Sequence, residues 1–274
     1  MLSTSADGLV TVCATTLRAG MRALSLVLAL TSTCAFAQQS LFNVPSTQET
    51  LPGRLFGQVQ LTGTSHGGEV NTTLELGVFR WLEVGMNLFR MPLYRLTELD
   101  DGAPAQSSTM LNANVYLDPL EWLAFEAGVQ GGVGFVPNTT RLEPVLYGWV
   151  TARFEAPGRF GSYVVGAYTG TRGALGKGPP VGGLLGVEVP LIEHTLHAMA
   201  DWVIGLNDLS VAVIGAVVFI GQSFQLSGGV QLPSPGSGNS FGGVLELTYV
   251  PVPLQPGEGL GHPAERPQRK KLVP

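Results

Sequence analysis

The stretch "EHTLHAMAD" contains Glu193, His194, His197 and Asp201, residue types that bind metal ions or transfer protons. In an α-helix, His194 and His197 would share a face and could bind one metal ion. In a β-strand, their spacing of three directs the two rings to opposite faces of the sheet. A strand at this position therefore predicts no metal site, and no other pattern in the chain indicates a cofactor.

A second possible chemistry is acyl transfer on a lipid, which needs an activated serine, a histidine base and a residue that orients the histidine. Ser210 with His197 and Asp201 is the best such set that the chain offers. Because no motif links these three residues, we predict no catalytic residues. A lipid-modifying enzyme stays open as an alternative function.

The elements that would position such residues are strands, because apolar and polar residues alternate in many segments from Leu55 onward. A period of two is typical of a strand with one apolar face. Most of the segments are close to the ~9–11 residues that a tilted membrane strand requires. We count twelve candidate strands: 55–62, 71–79, 82–90, 109–117, 122–131, 143–154, 161–169, 181–189, 195–204, 209–220, 223–231 and 241–250.

The connections between the candidate strands alternate in length, from "RW" at 80–81 to "MPLYRLTELDDGAPAQSS" at 91–108. Up-and-down barrels of the outer membrane have short periplasmic turns and longer external loops. A sheet with an apolar outer face can span lipid only if it closes on itself. The chain is therefore predicted to be all-β, a transmembrane antiparallel up-and-down β-barrel of about 12 strands, with ten or fourteen as neighbouring possibilities. A secreted soluble β-sandwich is the alternative fold, and 173–180 is expected to be a flexible external loop.

The N-terminal region has the pattern of a secretory signal: an apolar run after Arg22, then Ala35-Phe36-Ala37. Translation is expected to begin at Met21, with cleavage after Ala37. The prediction divides the chain into 1–37, an N-terminal extension and cleaved signal peptide; 38–54, a periplasmic lead-in; 55–250, the β-barrel; and 251–274, a basic tail rich in Pro and Gly that is expected to be disordered.

The charge of the chain argues against nucleic-acid binding. Its formal net charge is −5, and Lys177 is the single lysine outside the C-terminal tail. Proteins that bind nucleic acids generally carry a basic surface. Both cysteines, Cys13 and Cys34, precede the expected cleavage site, so neither disulfides nor thiolates are expected in the mature protein.

The final strand, "SFGGVLELTY", is similar to the assembly signal of bacterial outer-membrane β-barrel proteins, with Leu245 and Leu247 before the aromatic Tyr249. The opening "LFNVPSTQETLPGRLFGQVQ" and the hairpin "NTTLELGVFRWLEVGMNLF" also resemble a proteobacterial porin-like group with an FNVPS lead-in. These resemblances imply an outer-membrane location, contact with membrane lipid, and insertion by the barrel-assembly machinery. They imply no catalytic residues and no particular oligomeric state.

In such a barrel, one face of each strand lines the lumen. The predicted lumen-lining residues are Glu75, Glu83, Asn87, Asn112, Asn114, Glu126, Gln130, Arg153, Glu188 and Glu246. If water fills the lumen, the surplus of carboxylates would favour cations over anions. The alternative is a closed polar plug, in which these acids pair with arginines from loops or turns.

Two further predictions concern the ends of the lumen. The 91–108 loop, with Asp100 and Asp101, is the candidate constriction, and Trp81 and Trp122 are candidate interface anchors beside short turns. The predicted function is a porin-like channel for small solutes, cations among them, or a structural barrel of the outer membrane.

Overall fold

The computed structural model describes residues 41–96, 103–157 and 160–250. They form twelve strands and one helical turn, α1 (Arg172–Leu175). No helix among the described residues is long and apolar enough to cross a membrane. The strands are β1 (Leu55–Thr64), β2 (Gly67–Phe79), β3 (Leu82–Arg95), β4 (Gln106–Leu120), β5 (Leu123–Phe135), β6 (Leu142–Glu155), β7 (Ser162–Gly170), β8 (Val181–Ile192), β9 (Leu196–Ile204), β10 (Val211–Ile220), β11 (Phe224–Pro233) and β12 (Gly242–Tyr249).

Each strand pairs with its neighbours in sequence, and the sheet closes where β1 pairs with β12. The closing register runs antiparallel from Gly57 opposite Tyr249 to Thr64 opposite Gly242. Closure leaves no strand edge unpaired, so the backbone hydrogen bonds of the sheet are satisfied within it. The predicted all-β fold, a closed antiparallel up-and-down barrel of twelve strands, is confirmed.

The two ends of the barrel differ in their connections. At one end, the turn end, tight turns such as 80–81 and 121–122 join the strands, and the chain enters β1 and leaves β12 there. At the other end, the loop end, the connections are longer, as at 171–180 and 234–241. The expected long loop after the first strand is wrong, because β1 and β2 stay paired as far as Gly63 opposite Gly68.

The outer face of the barrel is apolar and exposed. Leu74, Leu76, Val84 and Met86 in the β2–β3 hairpin all have exposed side chains, and Leu111 on β4 is 73% exposed. The period of two places polar residues such as Glu75 and Asn112 on the opposite, buried face. The barrel therefore has an apolar outer surface and a partly polar lumen.

The lumen itself has two walls of different character. The inner face of β2–β5 carries many carboxylates and carboxamides. That of β6–β10 is mainly apolar, with Leu184, Met199 and Val213 among its buried residues, although it also carries the buried acids Glu188 and Asp201. On β10, Val213 and Val217 are fully buried while Ile214 and Val218 are exposed. The candidate strand at 209–220 is thus confirmed as β10, with an apolar outer face and a packed, apolar lumen face.

Several predicted features lie outside the described residues. These are the signal peptide at 1–37, the candidate constriction residues Asp100 and Asp101, and the tail at 251–274.

Candidate functional site

Residues 41–54, the lead-in segment, lie within the barrel and fill the half of the lumen nearest the turn end. Leu41, Phe42 and Val44 are buried in the same apolar cluster as the inner faces of β6–β10. Ser46, Thr47 and Thr50 are also buried. The sequence predicted a periplasmic lead-in for 38–54 and gave no sign that its described part lies against the lumen wall, which offers the segment both apolar contacts and hydrogen-bond acceptors.

Carboxylates of the barrel wall accept hydrogen bonds from the backbone of the lead-in segment. Asp201 Oδ2 accepts from the backbone N–H of Val44 at 3.0 Å and from that of Asn43. Glu83 Oε1 accepts from the N–H of Thr50 at 3.0 Å. These bonds satisfy backbone donors of a segment that has no regular secondary structure, and charge-assisted bonds of this kind are stronger than neutral ones.

Side-chain contacts extend this anchoring around the lumen. Gln60 on β1 donates to the carbonyl oxygen of Phe42 at 2.5 Å, and the hydroxyls of Thr47 and Thr151 lie 3.1 Å apart. The segment therefore contacts strands on opposite sides of the barrel and spans its lumen.

Two glycines allow the lead-in segment to approach the wall closely. A Cβ atom at Gly77 on β2 would overlap the carbonyl oxygens of Thr50 and Leu51. Gly77 also exchanges backbone hydrogen bonds with Gly53 and Arg54. A Cβ at Gly186 on β8 would overlap the side chain of Leu41. Larger residues at either position would push the segment away from the wall.

The loop end is narrowed by the connection between β7 and β8. Its helical turn α1 packs into the lumen, with Leu175 only 1% exposed. Arg90 Nη1 donates to the carbonyl oxygen of Ala174 at 3.0 Å, and the N–H of Asp208 donates to that of Leu175 at 2.9 Å. The prediction that 173–180 is a flexible external loop is therefore wrong for the helical turn, because these bonds tie it to β3 and to the β9–β10 loop; Lys177 to Pro180 are exposed, as expected of an external loop.

Between the lead-in segment and α1 lies a cavity of about 180 Å³, the inner chamber. Phe42 and Pro45 bound it on one side, and Ala174 and Leu209 bound it on the other. Its wall combines aromatic rings with carboxamides and two carboxylates. The wall includes Glu75, Asn87, Asn112, Asn114, Glu126, Gln130, Tyr147 and Trp149.

A second cavity of about 390 Å³, the mouth, occupies the loop end. Its charged lining includes the cations Arg90, Arg95 and Lys177 and the anions Glu69 and Asp208. Hydrogen bonds join some of these groups through Gln106, which donates to Glu69 and accepts from Arg95, both at 3.3 Å. The mouth is thus a polar cavity in which both signs of charge occur.

The predicted lumen-lining residues lie on the inner face as follows. Eight are buried, namely Glu75, Glu83, Asn87, Asn112, Asn114, Glu126, Glu188 and Glu246, while Gln130 and Arg153 are half-buried. Only some of them line the inner chamber: Glu83 binds the lead-in segment, Glu188 binds His197, and Arg153 pairs with Glu155. Among the contacts described here, Glu83 accepts from a backbone N–H and Glu188 contacts a histidine, while Arg153 also interacts electrostatically with Glu188.

The predicted lumen-lining set contains no aromatic residue, although Tyr116 and Trp149 lie on the inner face of the barrel. Tyr116 donates to Glu83, and the indole of Trp149 donates to Glu126 at 2.8 Å. The alternation of side chains along β4 and β6 predicts that both residues face the lumen, since they alternate with the exposed Val115 and Val150. No comparable signal marks the lead-in segment, which has no periodicity.

The residues considered for metal binding or acyl transfer are not brought together. His194 lies in the turn before β9, whereas His197 lies on that strand with its Nδ1 2.6 Å from Glu188. His197 is opposite Val217, and Ser210 precedes the other end of β10, roughly 20 Å away at the rise of a strand. Within the described residues, no group of three or more His, Cys, Asp or Glu side chains could hold a metal ion.

Trp81 and Trp122 are exposed beside the tight turns of the turn end. Phe79 stacks on Trp81 with ring centroids 5.4 Å apart. The two tryptophans therefore lie on the outer surface at the same end of the barrel.

Comparison of the chain with protein-family models, with curated proteins and with solved structures gave no match in any of the three.

Proposed function

We propose that this chain is a bacterial outer-membrane β-barrel protein, of the porin-like kind that its sequence resembles, and that its own lead-in segment closes its lumen. In this proposal, residues 1–37 direct secretion, the barrel-assembly machinery inserts the barrel, and small solutes cross when the segment leaves the lumen. The turn end faces the periplasm and the loop end faces outward. The proposal assigns the chain a role in transport and no catalytic activity.

The membrane part of the proposal is supported by the outer face of the closed barrel. Exposed apolar residues occur on every strand, and soluble proteins rarely expose such a continuous apolar surface to water. Trp81 and Trp122, beside the turns, suit the interfacial aromatic girdle of such barrels. A soluble β-sandwich, the alternative fold, would bury one such face against a second sheet.

The transport part rests on one observation, the way in which the lead-in segment occupies the lumen. The segment is not a regular element of the barrel. It is held by individual hydrogen bonds to Asp201, Glu83 and Gln60. A segment held in this way can leave the lumen without breaking the pairing between the twelve strands, because its described pairing with them is one isolated bridge, between Pro52 and Gly77. We therefore assign it the role of a gate.

Localisation is tested first, by fractionating the envelope of a Gram-negative host that expresses the full chain. We expect the protein in the outer-membrane fraction, with a gel mobility that changes on heating, as closed barrels behave in detergent. Recovery as a soluble periplasmic protein would refute the membrane proposal.

Gating is tested by planar-bilayer recording of wild-type protein and the Gly77→Ala variant. The added Cβ overlaps the backbone of Thr50 and Leu51, so the variant should spend more time open, by roughly tenfold for each 1.4 kcal/mol that the closed state loses. Gly57→Ala is the matched control, since a Cβ there meets only Leu74 Cδ1 at 3.9 Å. Gly77→Ala barrels that fold but conduct no more than the control would contradict the gate and favour a structural barrel.

A further inference from the structure

One arginine of the barrel wall points into the lumen although the alternation of side chains along its strand would direct it outward. On β3, Met86 is 41% exposed on the outer face, and a strict period of two would place Leu88 and Arg90 on that same face. Instead, Arg90 is only 7% exposed, and its Nη1 donates to the carbonyl oxygen of Ala174 inside the lumen. The alternation is therefore interrupted at this residue.

A β-bulge causes the interruption. At the register shift between Val70 and Thr72, the single residue Asn71 of β2 faces Phe89 and Arg90 of β3. The φ angle of Arg90 is 53°, in the left-handed region that is unfavourable for residues other than glycine. Asn71 Oδ1 accepts from the backbone N–H of Arg90 at 2.8 Å and so stabilises the bulge. Bulges of this kind redirect a side chain and are frequent next to functional sites.

Most N–H donors of the Arg90 guanidinium are unused by the described residues. A guanidinium carries five such donors, and the bond to Ala174 uses one of them. Nε and Nη2 of Arg90 form no hydrogen bond with a described group, yet they are not enclosed, unlike the unpartnered Nε atoms of Arg54 and Arg153. Because Arg90 lines the mouth, these donors are accessible from that cavity.

The guanidinium is also held in place. Its central carbon lies 5.2 Å from the centre of the Phe89 ring, and the hydrogen bond to Ala174 fixes one of its nitrogens. A planar guanidinium matches the two oxygens of a carboxylate, with which it forms paired, charge-assisted hydrogen bonds. Arg90 thus presents a positioned binding group for a planar oxyanion.

The charges around Arg90 favour an anion with a single charge. The described lining of the mouth carries the cations Arg90, Arg95 and Lys177 against the carboxylates of Glu69 and Asp208. Both carboxylates interact electrostatically with Arg90, but neither forms an ion pair with it among the described residues. The guanidinium therefore keeps its donors available, while the nearby acids would repel the second charge of a dianion such as hydrogen phosphate.

Apolar groups beside the guanidinium suit the carbon part of such a ligand. Phe89 and Leu209 line the mouth, and so does Tyr94, whose ring lies where a Cβ atom of Gly68 would be. The cavity of about 390 Å³ is within the roughly 300–1,000 Å³ of small-molecule sites. The mouth therefore has room for a small organic acid.

We propose that the mouth is a binding site for a small organic monocarboxylate. The carboxylate accepts hydrogen bonds from Nε and Nη2 of Arg90, and the apolar body of the ligand lies against Phe89 and Tyr94. As the identification of a transported solute, the inference rests on the proposed function; as a binding site, it does not.

The test is calorimetric titration of the full chain, folded in nonionic detergent, with sodium benzoate, benzamide and sodium phosphate at a slightly alkaline pH. Benzoate and benzamide have nearly the same shape and differ in charge, whereas phosphate is then mainly a dianion. We expect benzoate to bind at least about tenfold more tightly than either of the others. Equal binding of benzoate and benzamide, no binding of benzoate, or phosphate binding as tight as that of benzoate would overturn the proposal without the need for any variant.

The location of the site is tested with Arg90→Met, which should weaken benzoate binding by about tenfold or more. Arg95→Met is the matched control, because Arg95 also lines the mouth but is exposed and already donates to Asn138 and Gln106. Its effect should stay within about threefold. Similar losses in both variants would contradict the assignment, since they would reflect the overall charge of the mouth.

A second control separates the guanidinium from its contact with α1. Leu175 is buried and packs α1 into the lumen, but it does not line the mouth. Leu175→Ala should therefore loosen α1, while Arg90 is retained and the affinity for benzoate stays within about threefold. A loss as large as that of Arg90→Met would mean that the position of α1 controls binding, and it would overturn the assignment to Arg90.

Heat-modifiable mobility and circular dichroism establish that each variant has folded. Binding in micelles requires neither membrane insertion nor conduction. A barrel that binds benzoate but never conducts would refute the transport proposal alone, and one that conducts but does not bind it would refute this inference alone.

Discussion

The turn-end half of the lumen and the mouth at the loop end are enclosed by the same twelve strands, yet they differ in content. In the first, Asp201 and Glu83 hold the lead-in segment through its backbone N–H groups. In the second, the charged groups surround a cavity of about 390 Å³. Buried acids close one half of the barrel, while the other half stays hollow.

This difference changes the role that we assign to the lumen carboxylates. From the sequence, their surplus would favour cations if water fills the lumen, and a closed polar plug was the alternative. In the structure, several of them accept hydrogen bonds from the lead-in segment and are therefore part of the closure. Solute in the mouth meets Arg90, Arg95 and Lys177 before it meets the acids of the inner chamber. The total charge of a lumen therefore does not predict the order in which a solute meets its positive and negative groups.

The largest expected effect is on conductance, and it comes from emptying the turn-end half of the lumen so that both halves are hollow. Replacing residues 41–51 by a Gly/Ser sequence of equal length removes the side chains that fill the turn-end half. We expect a conductance increase of roughly tenfold or more and a preference for K⁺ over Cl⁻, because Glu83 and Asp201 would then line an open pore. Bilayer recording with asymmetric KCl measures both quantities.

The control for this replacement is the same change in 136–141, a connection at the loop end. That variant should keep the wild-type conductance. If the variant with residues 41–51 replaced conducts no more than this control, the lead-in segment does not close the turn-end half of the lumen, and the proposed difference between the two halves is wrong.

A smaller effect is expected when one acceptor of the lead-in segment is removed. Asp201→Ala leaves the N–H groups of Asn43 and Val44 without their charged acceptor. The closed state should lose about 2–3 kcal/mol, so that amides in 41–50 exchange their hydrogens roughly 30-fold to 150-fold faster. Hydrogen exchange followed by mass spectrometry measures this rate.

Asp208→Ala is the corresponding change in the mouth, where Asp208 Oδ2 accepts from the N–H of Lys177 at 3.0 Å. It should accelerate exchange near Lys177 and leave 41–50 unchanged. If both variants accelerated exchange in 41–50 equally, the two halves of the lumen would be one cooperative unit.

The smallest effect concerns the contact between the mouth and the inner chamber. Arg90→Met keeps most of the side-chain volume but removes the hydrogen bond to the carbonyl oxygen of Ala174. We expect a local loss of about 1–2 kcal/mol around α1. Limited proteolysis within 171–180 should become several-fold faster, whereas barrel melting should change little.

Arg95→Met serves as the comparison, because the guanidinium of Arg95 binds Asn138 and Gln106 and does not contact α1. Faster cleavage of 171–180 in this variant as well would mean that the mouth cations act through their charge and not through the contact with α1.

Part of the lumen could be predicted residue by residue. The phase of β2 and β3 placed Glu75 and Glu83 on the inner face because side chains alternate strictly along a strand. The same rule, applied to β4 and β6, would have added Tyr116 and Trp149. It could not predict the partners of these side chains: Glu83 binds Thr50, which is 33 residues away in sequence, and Asp201 binds Val44, which is 157 residues away.

The strands, their pairing in order and the apolar outer face could be predicted from the amino-acid pattern, because a period of two is a local property and neighbouring strands joined by tight turns pair with each other. What fills the lumen could not be predicted in this way, because it depends on contacts between distant parts of the chain. The lead-in segment "LFNVPSTQETLPGR" has no period and contains two prolines, so it reads as a loop outside any element. Its position follows from the shape and the unsatisfied acceptors of the closed barrel, which exist only once β1 has met β12.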